Sequence, residues 1–189
     1  DGERLDDVGL VNILMNFLIL GSETTPMVCA GALHYLEQHP AQKAAVLADL
    51  SLVPKLFLET ARFDQPTNML GRRAVRDFRL GNAEIKAGQT LLYIYASACR
   101  DEAEFPQADR FDIFRTLQRD LIYGAGGHKC LGMHLATMGG VILLEEFLRA
   151  APDYRVDLAV CERAYGEHLS GFLRVPVAFT PATRNVICS

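Results

Sequence analysis

The segment Tyr123-Gly124-Ala125-Gly126-Gly127-His128-Lys129-Cys130-Leu131-Gly132 constrains this chain more than any other stretch of its 189 residues. Glycines at 124, 126 and 127 let the backbone take positive φ and approach a flat ligand closely. Beyond them Leu131, Leu135, Met138, Ile142 and Phe147 form an apolar row, which predicts a helix over about 131–149, stopped by Pro152. Cys130 then stands at a helix start, where unpaired N–H groups and the positive dipole end favour a thiolate. The plainer reading of the same residues is a buried, inert cysteine after a glycine-rich turn. Gly139-Gly140 lowers helix propensity, so close packing is expected there.

If a cysteine does chemistry here, it does so alone. The five cysteines (29, 99, 130, 161 and 188) are odd in number, widely spaced and without a CxxC pair, against both a disulfide framework and a zinc ribbon. Half the residues are apolar and 22% are charged, an ordinary globular balance for one domain with a sizeable core. The net charge of −4 gives no whole-chain reason to expect nucleic acid or an anionic membrane as partner. The apolar run 8–20 is too short to span a bilayer, Asn12 and Asn16 interrupt it, and nothing resembles a secretory signal. A soluble, cytoplasmic protein is expected, with no membrane partner. The chain opens on Asp1 and runs at once into an apolar helix, which reads as a piece cut from something longer.

Asp6 or Asp7 can cap a helix running to about Gln38, with a kink or loosening expected near Thr24-Thr25 because Pro26 lies inside it. His39-Pro40 ends it, and helices over about 41–49 and 52–63 follow. Phe78, Leu80 and Ile85 around Gly81-Asn82, then the apolar run 91–95, predict short strands within 74–96. The stretch 105–119 is irregular, and 172–180 reads as a late strand. The fold class is mainly α with a minor β component.

The cysteine loop resembles the signature of the cytochrome P-450 superfamily. There an aromatic, Gly, any residue and Gly precede a basic residue, then Cys, then Gly; Tyr123, Gly124, Gly126, His128, Cys130 and Gly132 fill those places. Three further segments follow the family's order. Glu59-Thr60-Ala61-Arg62 resembles its ExxR pair, a buried lock completed by an arginine ahead of the cysteine loop, for which Arg110 is the expected residue. Gly21-Ser22-Glu23-Thr24-Thr25 resembles the oxygen-activation motif, in which a carboxylate and a hydroxyl relay protons through water. Without the resemblance, those threonines would simply bond back to helical carbonyls. Arg72 stands where the family places a haem-propionate arginine, and His128 resembles a second propionate contact.

The resemblance implies the carboxy-terminal, haem-binding half of a soluble, bacterial-type P-450 fold over residues 1–189, without the amino-terminal half. It implies haem b (iron protoporphyrin IX) with Cys130 as axial ligand. The activity implied is insertion of one oxygen atom from dioxygen into a small organic substrate, with electrons from a separate ferredoxin or flavodoxin-type donor. Arg115, Arg119 and Lys129 would offer that donor a basic docking patch, or are ordinary solvated charge. Departures from the pattern include Tyr123 for the usual Phe, Cys99 for the usual Asn before Arg-Asp, and Thr137 and Gly139 for charged residues. Leu20 replaces a small residue one turn before Thr24, adding bulk over the expected oxygen site. Asn16, a further turn back, would contact substrate or face a neighbouring helix. Two other readings stand beside the monooxygenase: a peroxide-driven peroxygenase or haem-dependent isomerase, and a non-catalytic truncated remnant.

Overall fold

The computed structural model describes residues 4–116 and 121–180; Arg119 and Cys188 lie outside them. Helix α1 (Asp7–Gln38) is capped by Asp6, whose carboxylate accepts the Gly9 N–H at 2.7 Å. It runs unbroken through Pro26, so the loosening expected near Thr24 does not interrupt it. Pro40 opens α2 (Pro40–Ala48), Pro54 sits in the first turn of α3 (Val53–Phe63), and Gly132 precedes α5 (Met133–Ala150). A single-turn helix α4 (Tyr95–Ala98) follows the central strands.

The core forms where α1, α3 and α5 meet. Val28, Cys29, Ala32 and Leu36 come from the second half of α1, Val53, Leu56, Phe57 and Ala61 from α3, and Leu144 and Leu148 from α5. Gly140 makes the junction possible. A Cβ there would fall on the Phe57 ring, 2.7 Å from Cδ2 and 2.9 Å from Cζ. The Cys29 thiol, 3.8 Å from the Gly140 carbonyl, crosses at the same point. Gly139 meets nothing within 4 Å, so the expected close packing belongs to Gly140 alone.

Two large apolar faces stay outside this core. The first half of α1, from Val8 to Leu20, carries exposed apolar side chains around its circumference. Leu131, Leu135, Met138 and Ile142, of the apolar row that predicts α5, are exposed as well, with Leu131 82% exposed. Helix α5 is apolar on two faces, and a period of 3.6 finds both without saying which one meets α3. The whole of α1, unlike the 8–20 run alone, is long and apolar enough to cross a membrane by length and composition. Its second half is instead built into the protein core.

The strands make four two-stranded antiparallel sheets. Strand β1 (Met69–Arg73), which lies ahead of the stretch expected to be extended, pairs with β4 (Thr90–Ile94), placing Arg72 opposite Leu91. The hairpin β2 (Phe78–Leu80) and β3 (Ala83–Ile85) turns at Gly81, whose φ of +58° suits glycine. Strand β5 (Arg155–Val156) pairs with β8 (Val177–Ala178), and β6 (Glu162–Tyr165) with β7 (Ser170–Arg174). The expected strand over 172–180 is therefore two pieces, divided around Pro176, which has no N–H to give a ladder.

Candidate functional site

The site rests on a buried ion network. Arg62, with no exposed surface, uses all five of its N–H donors. Nε and Nη2 hold the two Glu59 carboxylate oxygens at 2.8 Å each. Nη1 reaches the Cys99 and Ala108 carbonyls at 2.8 and 2.9 Å, and Nη2 also reaches that of Arg110 at 3.2 Å. Glu59 Oε1 accepts in addition the Asp112 N–H at 2.9 Å and Arg115 Nε at 3.4 Å.

The third member of the lock, the second arginine on Glu59, is thus Arg115, and the expectation of Arg110 is corrected. The Arg110 side chain is exposed, 3.5 Å from Gln107 Oε1, and only its carbonyl joins the network. Phe105, Ala108 and Phe111 turn into the core, and Gln107 takes a left-handed φ of 53°. The carbonyls of 106, 107, 108 and 110 then converge on the guanidinium groups of Arg62 and Arg115. This also removes Arg115 from the docking patch, since its guanidinium is spent on Glu59 and three carbonyls. Of the other two residues expected there, Lys129 is exposed and Arg119 lies outside the described residues.

A hydrogen-bonded path leads from this network to the cysteine loop. Gln65, buried and not singled out by its sequence, donates from Nε2 to the Ile122 carbonyl at 3.0 Å and to Cys99 Sγ at 3.6 Å. The next residue, Tyr123, closes the loop by accepting the Cys130 N–H at 2.9 Å. Gly124 and Gly126 within the loop have φ of +72° and +69°, conformations that resist other side chains. Residues 126–128 form a single 3₁₀ turn and α5 starts at Met133, one turn beyond Cys130. Among the four described cysteines only Cys130 is exposed. Cys29 is its opposite: burial pushes that thiol up to about 11.

Beside the loop lies a cleft of about 290 Å³. Arg72, Tyr93, Tyr95, Gly124 and His128 are among its lining residues, so the two side chains expected to bind carboxylates share one wall with the loop. Arg72 is half-buried and donates to the Gly71 carbonyl at 2.8 Å, whereas its neighbour Arg73 is exposed and outside the cleft. Tyr93 and Tyr95 carried no sequence signal beyond strand propensity.

The residues on α1 stand apart from that cleft. Glu23, Asn16 and Leu20 are exposed, and none of them lines it. The Thr24 hydroxyl donates back to the Leu20 carbonyl at 3.1 Å. Leu20 itself is 64% exposed.

An exposed cysteine in a positive-φ glycine loop, braced by a buried Glu–Arg network, thus adjoins a cleft that Arg72 and His128 line. The family model for Cytochrome P450 matches residues 1–151. The chain is 35% identical to "Putative cytochrome P450 123" of Mycobacterium tuberculosis over 94% of its own length and 44% of that protein's. It is 33% identical to the Steroid C26-monooxygenase of the same organism, over 96% of this chain and 50% of the relative. Cytochrome P450 CYP109Q5 from Chondromyces apiculatus superposes with a TM-score of 0.91 at 34% identity, covering 97% of this chain and 48% of that one. The chain belongs to the cytochrome P450 family, and it spans about half the length of the relatives it matches.

Proposed function

We propose that this chain is the haem-binding half of a cytochrome P450 monooxygenase acting on a small organic substrate, with Cys130 as the iron ligand. Cysteine thiolate is the established haem-iron ligand of this family. The observation that supports the reading best is the exposed Cys130 thiol on a glycine loop adjoining the cleft that Arg72 and His128 line. That donor set fits the group: a soft sulfur for iron, and the N–H donors of Arg72 and His128 for its carboxylates. The backbone approach allowed by Gly124 and Gly126 suits a flat ring. Bound haem supplies the redox centre at which dioxygen is reduced and one oxygen atom is transferred.

The chain's own residues have separate tasks. Cys130 presents sulfur from a loop whose height is fixed by the Tyr123 carbonyl. Arg72 and His128 orient the cofactor by its acidic edge. Glu23 and Thr24 form a proton relay; the Thr24 donor now points at the Leu20 carbonyl, so relay requires rotation about χ1. Asn16 and Leu20 project from the Thr24 side of α1 and shape the substrate's approach. Electrons come from a separate ferredoxin or flavodoxin-type protein, and the protein works in the cytoplasm.

The exposed apolar faces of α1 and α5 favour a second reading, a folded remnant that binds no haem unaided. One spectrum separates the two. The protein is mixed with hemin, reduced and exposed to carbon monoxide, with Cys130→Ala beside it. A red-shifted Soret band that disappears in the variant is expected. An unshifted band in both, or no uptake of hemin, overturns the assignment for this chain.

A further inference from the structure

Two residues that depart from the family's usual pattern, Tyr123 and Thr137, meet in space. Tyr123 Oη and Thr137 Oγ1 are 2.6 Å apart, across the base of the cysteine loop. Both side chains are half-buried, where a hydroxyl without a partner would be costly. Tyr123 thereby ties three elements together. Its carbonyl accepts the Cys130 N–H at 2.9 Å, its hydroxyl reaches the second turn of α5, and Ile122 just before it is held by Gln65 at 3.0 Å. A phenylalanine at 123 could pack in the same place but would leave the loop without its polar tether to α5.

We propose that the Tyr123–Thr137 hydrogen bond is a clamp that fixes the cysteine loop against α5 and so restrains the sulfur of Cys130; Tyr123 and Thr137 are positioning residues. The proposal deepens the reading of Cys130 as iron ligand and rests on it for its consequence, though the clamp itself is testable without haem. The Cys130 N–H bond to the Tyr123 carbonyl closes the loop, so movement of Tyr123 passes to Cys130. A clamp of ordinary net strength slows local opening by roughly twofold to tenfold.

The test is amide hydrogen exchange on the haem-free protein, comparing Tyr123→Phe, Thr137→Val, the double variant and Thr137→Ser. Exchange at Cys130 should quicken roughly twofold to tenfold in either single variant, no further in the double, and recover in Thr137→Ser. The Leu36 and Leu56 amides, deep in the core, report global unfolding and should stay unchanged. In hemin-loaded protein, decay of the red-shifted carbonyl band should quicken in the same variants and recover with serine. Unchanged exchange at Cys130, additive single effects, or a serine variant that behaves like valine would each overturn the clamp. Absence of the red-shifted band in wild type refutes the haem reading instead, and leaves the exchange data to decide the clamp.

Discussion

Alanine at the adjacent positions Gly139 and Gly140 should move stability in opposite directions. Replacing a glycine inside a helix by alanine gains about 0.5–1 kcal/mol, from propensity and reduced freedom of the unfolded chain. Gly139 has no atom within 4 Å of an added Cβ, so Gly139→Ala keeps that whole gain. At Gly140 the same methyl lies 2.7 Å from Phe57 Cδ2. Phe57 is only 2% exposed and cannot swing away, so α5 must move off α3. Overpacking of this kind costs about 1–3 kcal/mol. With the propensity gain subtracted, Gly140→Ala is destabilised by up to about 2 kcal/mol, a spread of about 1–3 kcal/mol between neighbours. Urea unfolding measures it, through shifts in midpoint at constant slope. Two variants displaced in the same direction would refute the argument that Phe57 contact, and not propensity, fixes residue 140.

Other perturbations test the network and the cleft. Arg62→Lys keeps the charge but cannot reproduce five donors in a fork, so it should cost about 3–5 kcal/mol in the same unfolding assay. Arg110→Ala should change stability by less than about 0.5 kcal/mol while Arg115→Ala costs clearly more; equal losses would reverse their assignment. Arg72→Ala should speed loss of hemin to an acceptor protein and Arg73→Ala should not, because only Arg72 lines the cleft. His34 is buried with Nδ1 unpartnered, and its pKa lies below the ordinary 6.5 through desolvation and then the Arg163 charge, partly opposed by Asp64. The unfolded chain therefore binds the proton more readily, and stability is complete above 6.5 and lost as pH falls toward the lowered value. Thermal melts from neutral to mildly acidic pH should show wild type losing ground to His34→Phe, and parallel curves would contradict this.

The helices were largely legible in the sequence because their ends carry local chemistry: Asp6 caps α1, Pro40 opens α2, and Gly132 precedes α5. The glycine loop was legible for a similar reason, since Gly124 and Gly126 are needed for backbone conformations that their neighbours could not take. What stayed hidden depends on the third dimension. The sequence leaves open which face of α5 packs, because its Leu131–Ile142 row is as apolar as the face that meets α3. Arg115 reads in the sequence as a docking residue or solvated charge, and Arg110 as the lock, because the deciding partners are largely main-chain carbonyls, which leave no mark in a sequence. Strand β1 was missed for want of an alternating pattern in Met69–Arg73.

The polar interior under the cysteine loop is better explained by position than by stability. An apolar cluster of equal volume could replace a buried Glu–Arg network at little cost, or even with gain. It could not reproduce directional contacts. Arg62 fixes the carbonyls of Cys99, Ala108 and Arg110, Gln65 joins Cys99 to Ile122, and the Tyr123 carbonyl holds the Cys130 amide. Each link sets an orientation as well as a distance, so the sulfur's place is referred back to α3, the most deeply buried helix. The network's role would then be to hold a loop rich in glycine, which is otherwise the segment with the most conformational freedom to lose, in one geometry before any ligand arrives.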